Sequence, residues 1–247
     1  MAQADSALVL FTLSPEAEGK RKPLGLGRPE QAAAVFATLL RHVEKVCSGL
    51  PDVDLLLASP GGPPKEGRRH LTQRGRNFGE SLRLAVEDAL ALGYRRVAVI
   101  GNDAPEISRS YLQEAFTELV KGEGSSAVLG PARDGGYVLL GLSSPCPRAF
   151  ESMPWGSRRV ARLTEERLVA SGFRVARLIP LEDIDNRRSL ARFIARARKG
   201  ALYTLAVSIS VILSPAWSDS QPSERRCKLV LVLGWPSLRA PPTLVCS

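Results

Sequence analysis

The sequence predicts a three-layer α/β/α sandwich, in which a mainly parallel sheet lies between two layers of helices. Short apolar runs alternate with amphipathic helical segments from residue 7 to residue 199. Such alternation is typical of parallel strands that are joined by helical crossovers. Two consecutive runs, at 126–130 and 136–142, have no helix between them. We therefore expect one of these two strands to run antiparallel to its neighbours.

Six apolar runs predict the strands. In chain order they are residues 7–13, 53–59, 96–101, 126–130, 136–142 and 173–179. Their lengths and their content of Val, Leu and Ile are typical of strands that are buried inside a sheet. The first run is followed at once by Ser14 and Pro15, so we expect a loop to begin there.

Five further segments predict amphipathic helices, because their apolar side chains recur at spacings of three and four. In chain order they are residues 29–46, 77–92, 108–121, 157–171 and 187–199. Pro29 suits the first turn of the first helix. Ser108 is a candidate N-cap for the third helix, since its hydroxyl can accept a hydrogen bond from the helix backbone.

The alternation stops at Gly200, and residues 201–247 hold two apolar stretches around a Ser- and Pro-rich link. We therefore predict one domain over residues 1–200 and a poorly ordered tail over 201–247. No charged residue lies between Lys199 and Asp219, a length that just reaches a membrane span. Membrane contact through the tail is the alternative, although Ser and Pro residues interrupt the apolar stretch.

The composition bounds the class of protein. The chain has 247 residues (26.7 kDa), 44% of them apolar and 24% charged, which excludes a disordered chain and a many-span membrane protein. Its formal net charge of +9 favours phosphate-bearing partners: a nucleotide, a nucleic acid or an anionic membrane. The four cysteines lack the spacing of a metal site or a disulfide framework. No basic segment precedes the first apolar run, as a signal peptide would require, so we expect a cytoplasmic protein.

The loop after the first predicted strand is basic, and ligands of open α/β sheets bind beyond the carboxyl ends of the strands. The loop reads SPEAEGKRKPLG and places Lys20, Arg21 and Lys22 between two glycines. Such a loop can wrap nucleotide phosphates. It is not a Walker loop, because GxxxxGK[ST] is absent. The alternative is a basic loop that is only solvated.

Acidic residues follow two further strand ends. Asp103 lies in GNDAPEIS after the third run, and Asp183 and Asp185 lie in PLEDIDN after the last run. Carboxylates are natural ligands of Mg²⁺ and Mn²⁺, ions that often bridge a protein to substrate phosphates. The alternatives are that Asp103 forms a turn and that Asp185 or Asn186 caps the following helix.

A fourth carboxylate, Asp134, precedes two glycines after the run at 126–130. Asp-Gly-Gly is a tight-turn signal, and a plain hairpin turn is one interpretation. The other places Asp134 at the mouth of the same cleft, where a carboxylate could accept a proton from an acceptor hydroxyl. The sequence predicts Asp134 as the catalytic residue.

Taken in order, the motifs resemble a known family over residues 7–199. They are FxxxP, GK-K-L, QxGxxxG, GxDxP, DGGYxLxGL, PWGxxxVxxxT and DID. Their order is similar to that of glycosyltransferase-A-type proteins described as radical-SAM/selenodomain-associated transferases. That family is related in fold to the guanylyltransferases of the molybdenum-cofactor and lactyl-phosphate types. The resemblance implies a nucleotide-diphospho-sugar transferase-like sandwich.

The resemblance also implies the partners of the site. Mg²⁺ or Mn²⁺ would be held by Asp103, Asp183 and Asp185. The residues implied for the nucleotide or donor are Leu13, Lys20, Lys22, Gln73, Gly75, Asn102, Gly135 and Gly136. The chain departs from the family at two places. Its first loop reads GKRKPL instead of GxxKTRL, and Asn77-Phe78-Gly79 stands where the family usually carries DLG.

The expected function is a metal-dependent transferase with a nucleotide-activated donor, ranked first as a glycosyltransferase that uses a nucleotide-diphospho-sugar. The alternatives are a nucleotidyltransferase of the guanylyl or cytidylyl type, and a non-catalytic nucleotide-binding scaffold, which the altered first loop favours. A nucleic acid is not expected as a partner. The basic clusters carry no interleaved aromatic residues and no known nucleic-acid-binding motif.

Overall fold

A computed structural model of the protein describes residues 3–61, 69–122, 124–197 and 200–214. Within these residues the strands form one seven-stranded sheet. In chain order they are β1 (Ser6–Phe11), β2 (Val53–Ser59), β3 (His70–Thr72), β4 (Arg96–Ile100), β5 (Ser126–Pro131), β6 (Tyr137–Leu142) and β7 (Arg174–Arg177). The spatial order is β3-β2-β1-β4-β6-β5-β7. The predicted strands are all present, and the short edge strand β3 is an addition.

One strand runs against the others, as the missing crossover predicts. β6 pairs antiparallel with β4 and with β5, whereas every other pairing between these strands is parallel. The short connection between β5 and β6 leaves no room for a crossover helix, so the chain turns back directly. The prediction for this pair is therefore confirmed.

Helices pack on both faces of the sheet. In chain order they are α1 (Pro15–Arg21), α2 (Pro29–Cys47), α3 (Phe78–Ala91), α4 (Arg109–Lys121), α5 (Val160–Ala170), α6 (Arg187–Arg196) and α7 (Tyr203–Ile212). One apolar core lies between the sheet and α3 and α5, and a second lies between the sheet and α2 and α4. This arrangement confirms the predicted three-layer sandwich. Ser108 caps α4, since its Oγ accepts a hydrogen bond from Tyr111 N.

The segment after β1 differs from the predicted loop, because residues 15–21 form the helix α1. Ser14 caps it by accepting a hydrogen bond from Ala17 N at 3.2 Å. Gly19 faces α2 so closely that a Cβ there would lie 2.7 Å from Ala33 N. The helix is too short for a periodic pattern, and a glycine inside it is a weak helix former. For both reasons the sequence predicts a loop here and not a helix.

The start of the predicted tail also differs from expectation. Residues 203–212 form α7, which packs on α2 and α6 and buries Leu205, Ile209 and Ile212 in a third apolar core. The sequence predicts that Ser208, Ser210, Ser214 and Pro215 interrupt the apolar stretch. Instead, Ser208 Oγ and Ser210 Oγ donate to the carbonyls one turn back, a pattern that helices tolerate. The remainder of the predicted tail, 215–247, lies outside the described residues.

In the described part of the chain, none of the helices combines the length and the apolar content that a membrane span requires.

Candidate functional site

The candidate site is a cleft of about 690 Å³ at the carboxyl edge of the sheet. It lies between the ends of β1 and β4, the point at which the strand order reverses. The connection after β1 leads to β2 and the connection after β4 leads to β5, in opposite directions along the sheet, and this divergence creates a crevice between them. The loops after β1, β4, β5 and β7 supply its polar wall. The predicted site residues that line it are Leu13, Lys22, Gln73, Asn102, Asp103, Asp134, Gly136, Asp183 and Asp185.

Three residues predicted for the donor site, Lys20, Gly75 and Gly135, are not among those that line the cleft. Lys20 is exposed, because α1 turns consecutive positions to different sides and Lys20 cannot share the direction of Lys22. Gly75 and Gly135 have φ values of +131° and +98°, in the region that favours glycine. We infer that these two glycines shape the turns beside the cleft.

Lys22 lies among the carboxylates of the cleft. Its Nζ is 2.5 Å from Asp103 Oδ2 and also contacts Asp185 Oδ1. Burial of the ammonium opposes its charge, but attraction by the two carboxylates raises the pKa of Lys22. Burial likewise opposes the charge of Asp103, and Lys22 nevertheless lowers the pKa of that carboxyl. Asp103 therefore has a lysine as its cation where the sequence predicts a metal.

Asp185 also belongs to a compact cluster of three carboxylates beside the Lys22–Asp103 pair. Asp134, Asp183 and Asp185 each offer an oxygen that lies within 4.8 Å of the others. The pKa of Asp183 is raised to about 8 by burial of the carboxyl, which is the largest single cause, and by repulsion from the neighbouring carboxylates. Repulsion of this kind marks a place where a cation would be stabilised. The set that the structure brings together thus contains Asp134, which was predicted as catalytic, in place of Asp103.

Hydrogen bonds between the loops hold these carboxylates in place. Ile184 N donates to Asp103 O at 2.8 Å, which joins the loop after β7 to the loop after β4. Asn186 caps α6 through its Oδ1, so Asp185 is released from the capping role that the sequence left open. Glu182, only 4% exposed, contacts Arg192 and Arg196 of α6. These contacts tie the acidic loop to the helix that follows it.

Two donor groups of the cleft have no hydrogen-bond partner among the described residues: Asn102 Nδ2 and the Tyr137 hydroxyl. Asn102 is 2% exposed, and its amide NH2 is a donor at any pH. Burial raises the pKa of Tyr137, so its hydroxyl keeps its proton and is also a donor at neutral pH. Buried donors without acceptors are rare and indicate a ligand or a water. Gln73 differs, because its Nε2 donates to Thr12 O and Ala58 O and only its Oε1 is left for a ligand.

Aromatic side chains form another part of the cleft wall. The Phe78 ring contacts Phe11 and Trp155 edge to face, with centroids 5.9 Å and 4.9 Å away. Trp155 also contacts Tyr137. Sequence reasoning named none of these side chains as site residues, although Tyr137 and Trp155 stand in the DGGY and PWG motifs. Arg21, which the sequence places in the basic loop but not among the donor residues, also lines the cleft while it pairs with Glu18.

Comparison with solved structures agrees with this architecture. The chain is similar to a proposed nucleotide-diphospho-sugar transferase from Desulfovibrio desulfuricans G20, with a TM-score of 0.74 and 24% identity over 85% of this chain and 97% of that one. The fold is therefore nucleotide-diphospho-sugar transferase-like. A model of the family described as "Uncharacterized protein conserved in bacteria (DUF2064)" matches residues 44–157. No curated protein matches the sequence.

Other solved structures are less similar. One is a CMP:2-keto-3-deoxy-manno-octonic acid synthetase complexed with CTP, at a TM-score of 0.47 and 11% identity over 76% of this chain and 96% of that one. Another is 2-C-methyl-D-erythritol 4-phosphate cytidylyltransferase from Thermus thermophilus, at a TM-score of 0.41 and 16% identity over 83% and 96%.

Proposed function

We propose that the protein is a metal-dependent transferase whose donor is a nucleotide-diphospho-sugar. One observation supports the proposal above the rest: four carboxylates and a lysine, carried by the four loops after β1, β4, β5 and β7, meet in one cleft at the switch point of the sheet. A cleft of about 690 Å³ falls within the ordinary range of small-molecule sites, roughly 300–1,000 Å³. Transfer of the sugar, rather than of the nucleotide, is the first candidate reaction.

The carboxylate cluster fits Mg²⁺ or Mn²⁺ in its chemistry. Oxygen ligands suit both ions, and the oxygens of Asp134, Asp183 and Asp185 are close enough together to share one ion. When bound, the ion would supply charge neutralisation to the diphosphate leaving group. Its ligands in this proposal are Asp183 and Asp185, and Asp134, whose oxygen lies in the same cluster, is kept for the proton of the acceptor.

The other side chains of the cleft would bind and orient the donor. Lys22 and Arg21 would attract its phosphates, and Asn102 would donate a hydrogen bond to an oxygen of the donor. Asp134 is exposed and its Oδ1 accepts from Gly136 N at 2.8 Å, which fixes the carboxylate at the mouth of the cleft. We assign to it the proton of the acceptor hydroxyl, because a carboxylate in reach of that group can act as a general base.

Titration calorimetry with uridine, guanosine and cytidine diphospho-sugars, each with and without Mn²⁺, tests the proposal. We expect one donor to bind, and to bind at least about tenfold more tightly with Mn²⁺, since the ion bridges carboxylates and phosphates. Asp185→Asn should remove the Mn²⁺ dependence, whereas Glu118→Gln, on α4 and outside the cleft, should keep it. Binding that ignores Mn²⁺ in the wild-type protein would contradict metal dependence.

Product analysis separates the candidate reactions. Release of a nucleoside diphosphate from the donor supports sugar transfer or its hydrolytic side reaction. If the protein instead releases pyrophosphate when it is given a nucleoside triphosphate together with a sugar phosphate, the reaction is nucleotidyl transfer and not sugar transfer. Tight binding without either product would support a nucleotide-binding scaffold.

A further inference from the structure

The Lys22 ammonium occupies a position between two carboxylates that come from different loops. Its Nζ lies 2.5 Å from Asp103 Oδ2, after β4, and contacts Asp185 Oδ1, after β7. All three side chains are largely buried, with 16%, 21% and 33% of the side chain exposed. Ion pairs shielded from water in this way are stronger than surface pairs. Lys22 is therefore a firmly held cation of the cleft.

Asp185 belongs to two groups at the same time. It contacts Lys22, and it is also one of the three carboxylates whose oxygens lie within 4.8 Å of one another. An ion in that cluster and the Lys22 ammonium would both be attracted to the same carboxylate. A cation bound at Asp185 would therefore lower the affinity of that carboxylate for the other cation.

We propose that Lys22 is an internal cation that competes with the divalent ion for Asp185 until an anionic ligand draws it away. The inference rests on the proposed function, because it takes the carboxylate cluster as the place of the ion. Its consequence is a positive coupling between donor and metal. A phosphate that attracts Lys22 releases Asp185 to the ion, and by linkage the ion favours binding of the phosphate.

The local structure lets the ammonium move while the backbone stays fixed. Lys22 is the C-cap of α1, where its N–H donates to Glu18 O at 2.7 Å. Leu24, two residues on, is 1% exposed in the third core. Movement of the ammonium therefore falls to the flexible four-carbon side chain of lysine.

Mn²⁺ titration of the full-length protein without nucleotide tests the competition. Lys22→Met should bind Mn²⁺ about tenfold more tightly than the wild type, since a cation in contact with a ligand is removed. The double variant Asp103→Asn/Lys22→Met should show a similar gain although its net charge equals that of the wild type. Arg21→Met removes a charge from the same cleft without touching Asp185, and should change the affinity by no more than about twofold.

The set of variants separates competition from simple charge. Wild-type affinity in the double variant, or equal gains for Arg21→Met and Lys22→Met, would overturn the inference. So would the absence of Mn²⁺ binding in all four proteins. Removal of both members of a buried ion pair is better tolerated than removal of one, so the double variant carries the test if Lys22→Met fails to fold. Tighter Mn²⁺ binding in both Lys22 variants, with no donor bound by the wild type, would support the role of Lys22 while contradicting the proposed donor.

Discussion

The single residues that say most about the cleft are those whose polar atoms lack a partner. The Tyr137 hydroxyl is buried without a hydrogen-bond partner in the described part of the chain, and this is a cost to the free protein. Tyr94, by contrast, is 2% exposed and donates to Asp54 Oδ2 at 2.8 Å. The two tyrosines can therefore be compared: the Tyr94 hydroxyl stabilises the fold, and the Tyr137 hydroxyl is available to a ligand.

Removal of each hydroxyl should therefore act differently. Tyr137→Phe should leave the free energy of unfolding unchanged or raise it by up to about 1 kcal/mol, whereas Tyr94→Phe should lower it by about 1.5–3 kcal/mol because its partner is charged. Only Tyr137→Phe should weaken donor binding, by several-fold. Chemical denaturation and calorimetry measure both effects. A loss of stability in Tyr137→Phe would show that its hydroxyl has a structural role.

At the scale of elements, the packing of α1 on α2 positions Lys22. The contact depends on Gly19, where a Cβ would lie 2.7 Å from Ala33 N and 3.0 Å from Ala33 Cα. Both neighbours are backbone atoms of α2, so a larger side chain cannot be accommodated by a rotamer change. The two helices would have to separate.

Gly19→Ala should consequently lower the free energy of unfolding by about 1–3 kcal/mol, the ordinary cost of overpacking. It should also weaken donor binding, because Lys22 moves with α1. Gly27→Ala is the matched control: nothing lies within 4 Å of its added Cβ, and its effect should stay within about 0.5 kcal/mol. Denaturant unfolding distinguishes the two, and equal stability for both variants would contradict the close contact.

A second contact of α2 predicts a dependence on pH. His42 Nε2 lies 3.1 Å from Pro105 O, in the loop that carries Asp103. Burial lowers the pKa of His42 below its ordinary value of 6.5, against the opposing effect of the Pro105 carbonyl. Below pH 6.5 the unfolded chain thus binds more protons than the folded one.

The contribution of His42 to stability is therefore complete above its unfolded pKa of 6.5 and declines as the pH falls below that value. Denaturant unfolding of the wild type at a series of pH values should therefore show a free energy of unfolding that falls as the pH falls below 6.5. In His42→Gln the free energy of unfolding should fall less steeply between pH 6.5 and the lower folded-state pKa, because the titrating group is gone. An unchanged slope would assign the dependence to other groups.

At the scale of the whole molecule, α7 extends the fold beyond the predicted boundary at residue 200. Its apolar face completes a third core with Phe36 and Leu39 of α2 and Phe193 of α6. Gln31 Nε2 also donates to Ile212 O at 3.1 Å in a buried position. Loss of α7 would expose these side chains to water, so a chain that ends at residue 200 should be less stable than the full chain, contrary to the boundary that the sequence predicts.

Point variants of α7 test this in the intact protein. Ile209 is fully buried, so Ile209→Ala should lower the free energy of unfolding by about 2–5 kcal/mol. Val207, 41% exposed on the same helix, should cost less than about 0.5 kcal/mol on the same change. Thermal and denaturant unfolding measure the difference. Similar small losses at both positions would show that α7 contributes little to the core.

Most of the architecture of this protein follows from patterns that are local in the chain. The apolar runs and helical spacings predicted the parallel sheet, the antiparallel strand and the loops that carry Asp103, Asp134 and Asp185, because burial imposes a period on each element. The N-cap at Ser108 was also predictable, because it depends only on residues next to it in the chain. Signals of this kind lie within a few residues of one another and can be read from the chain alone.

Which charges meet depends instead on the packing of segments that are distant in the sequence. Lys22 and Asp103 are far apart in sequence, and their ion pair depends on how α1 packs against α2 through Gly19. The same holds for the grouping of Asp134 with Asp183 and Asp185. An apolar run such as that of α7 can be a tail or a core helix, and the difference lies in whether Phe36 and Phe193 offer it a surface. Long-range contacts of this kind leave no period in the sequence, since each partner looks ordinary without the other.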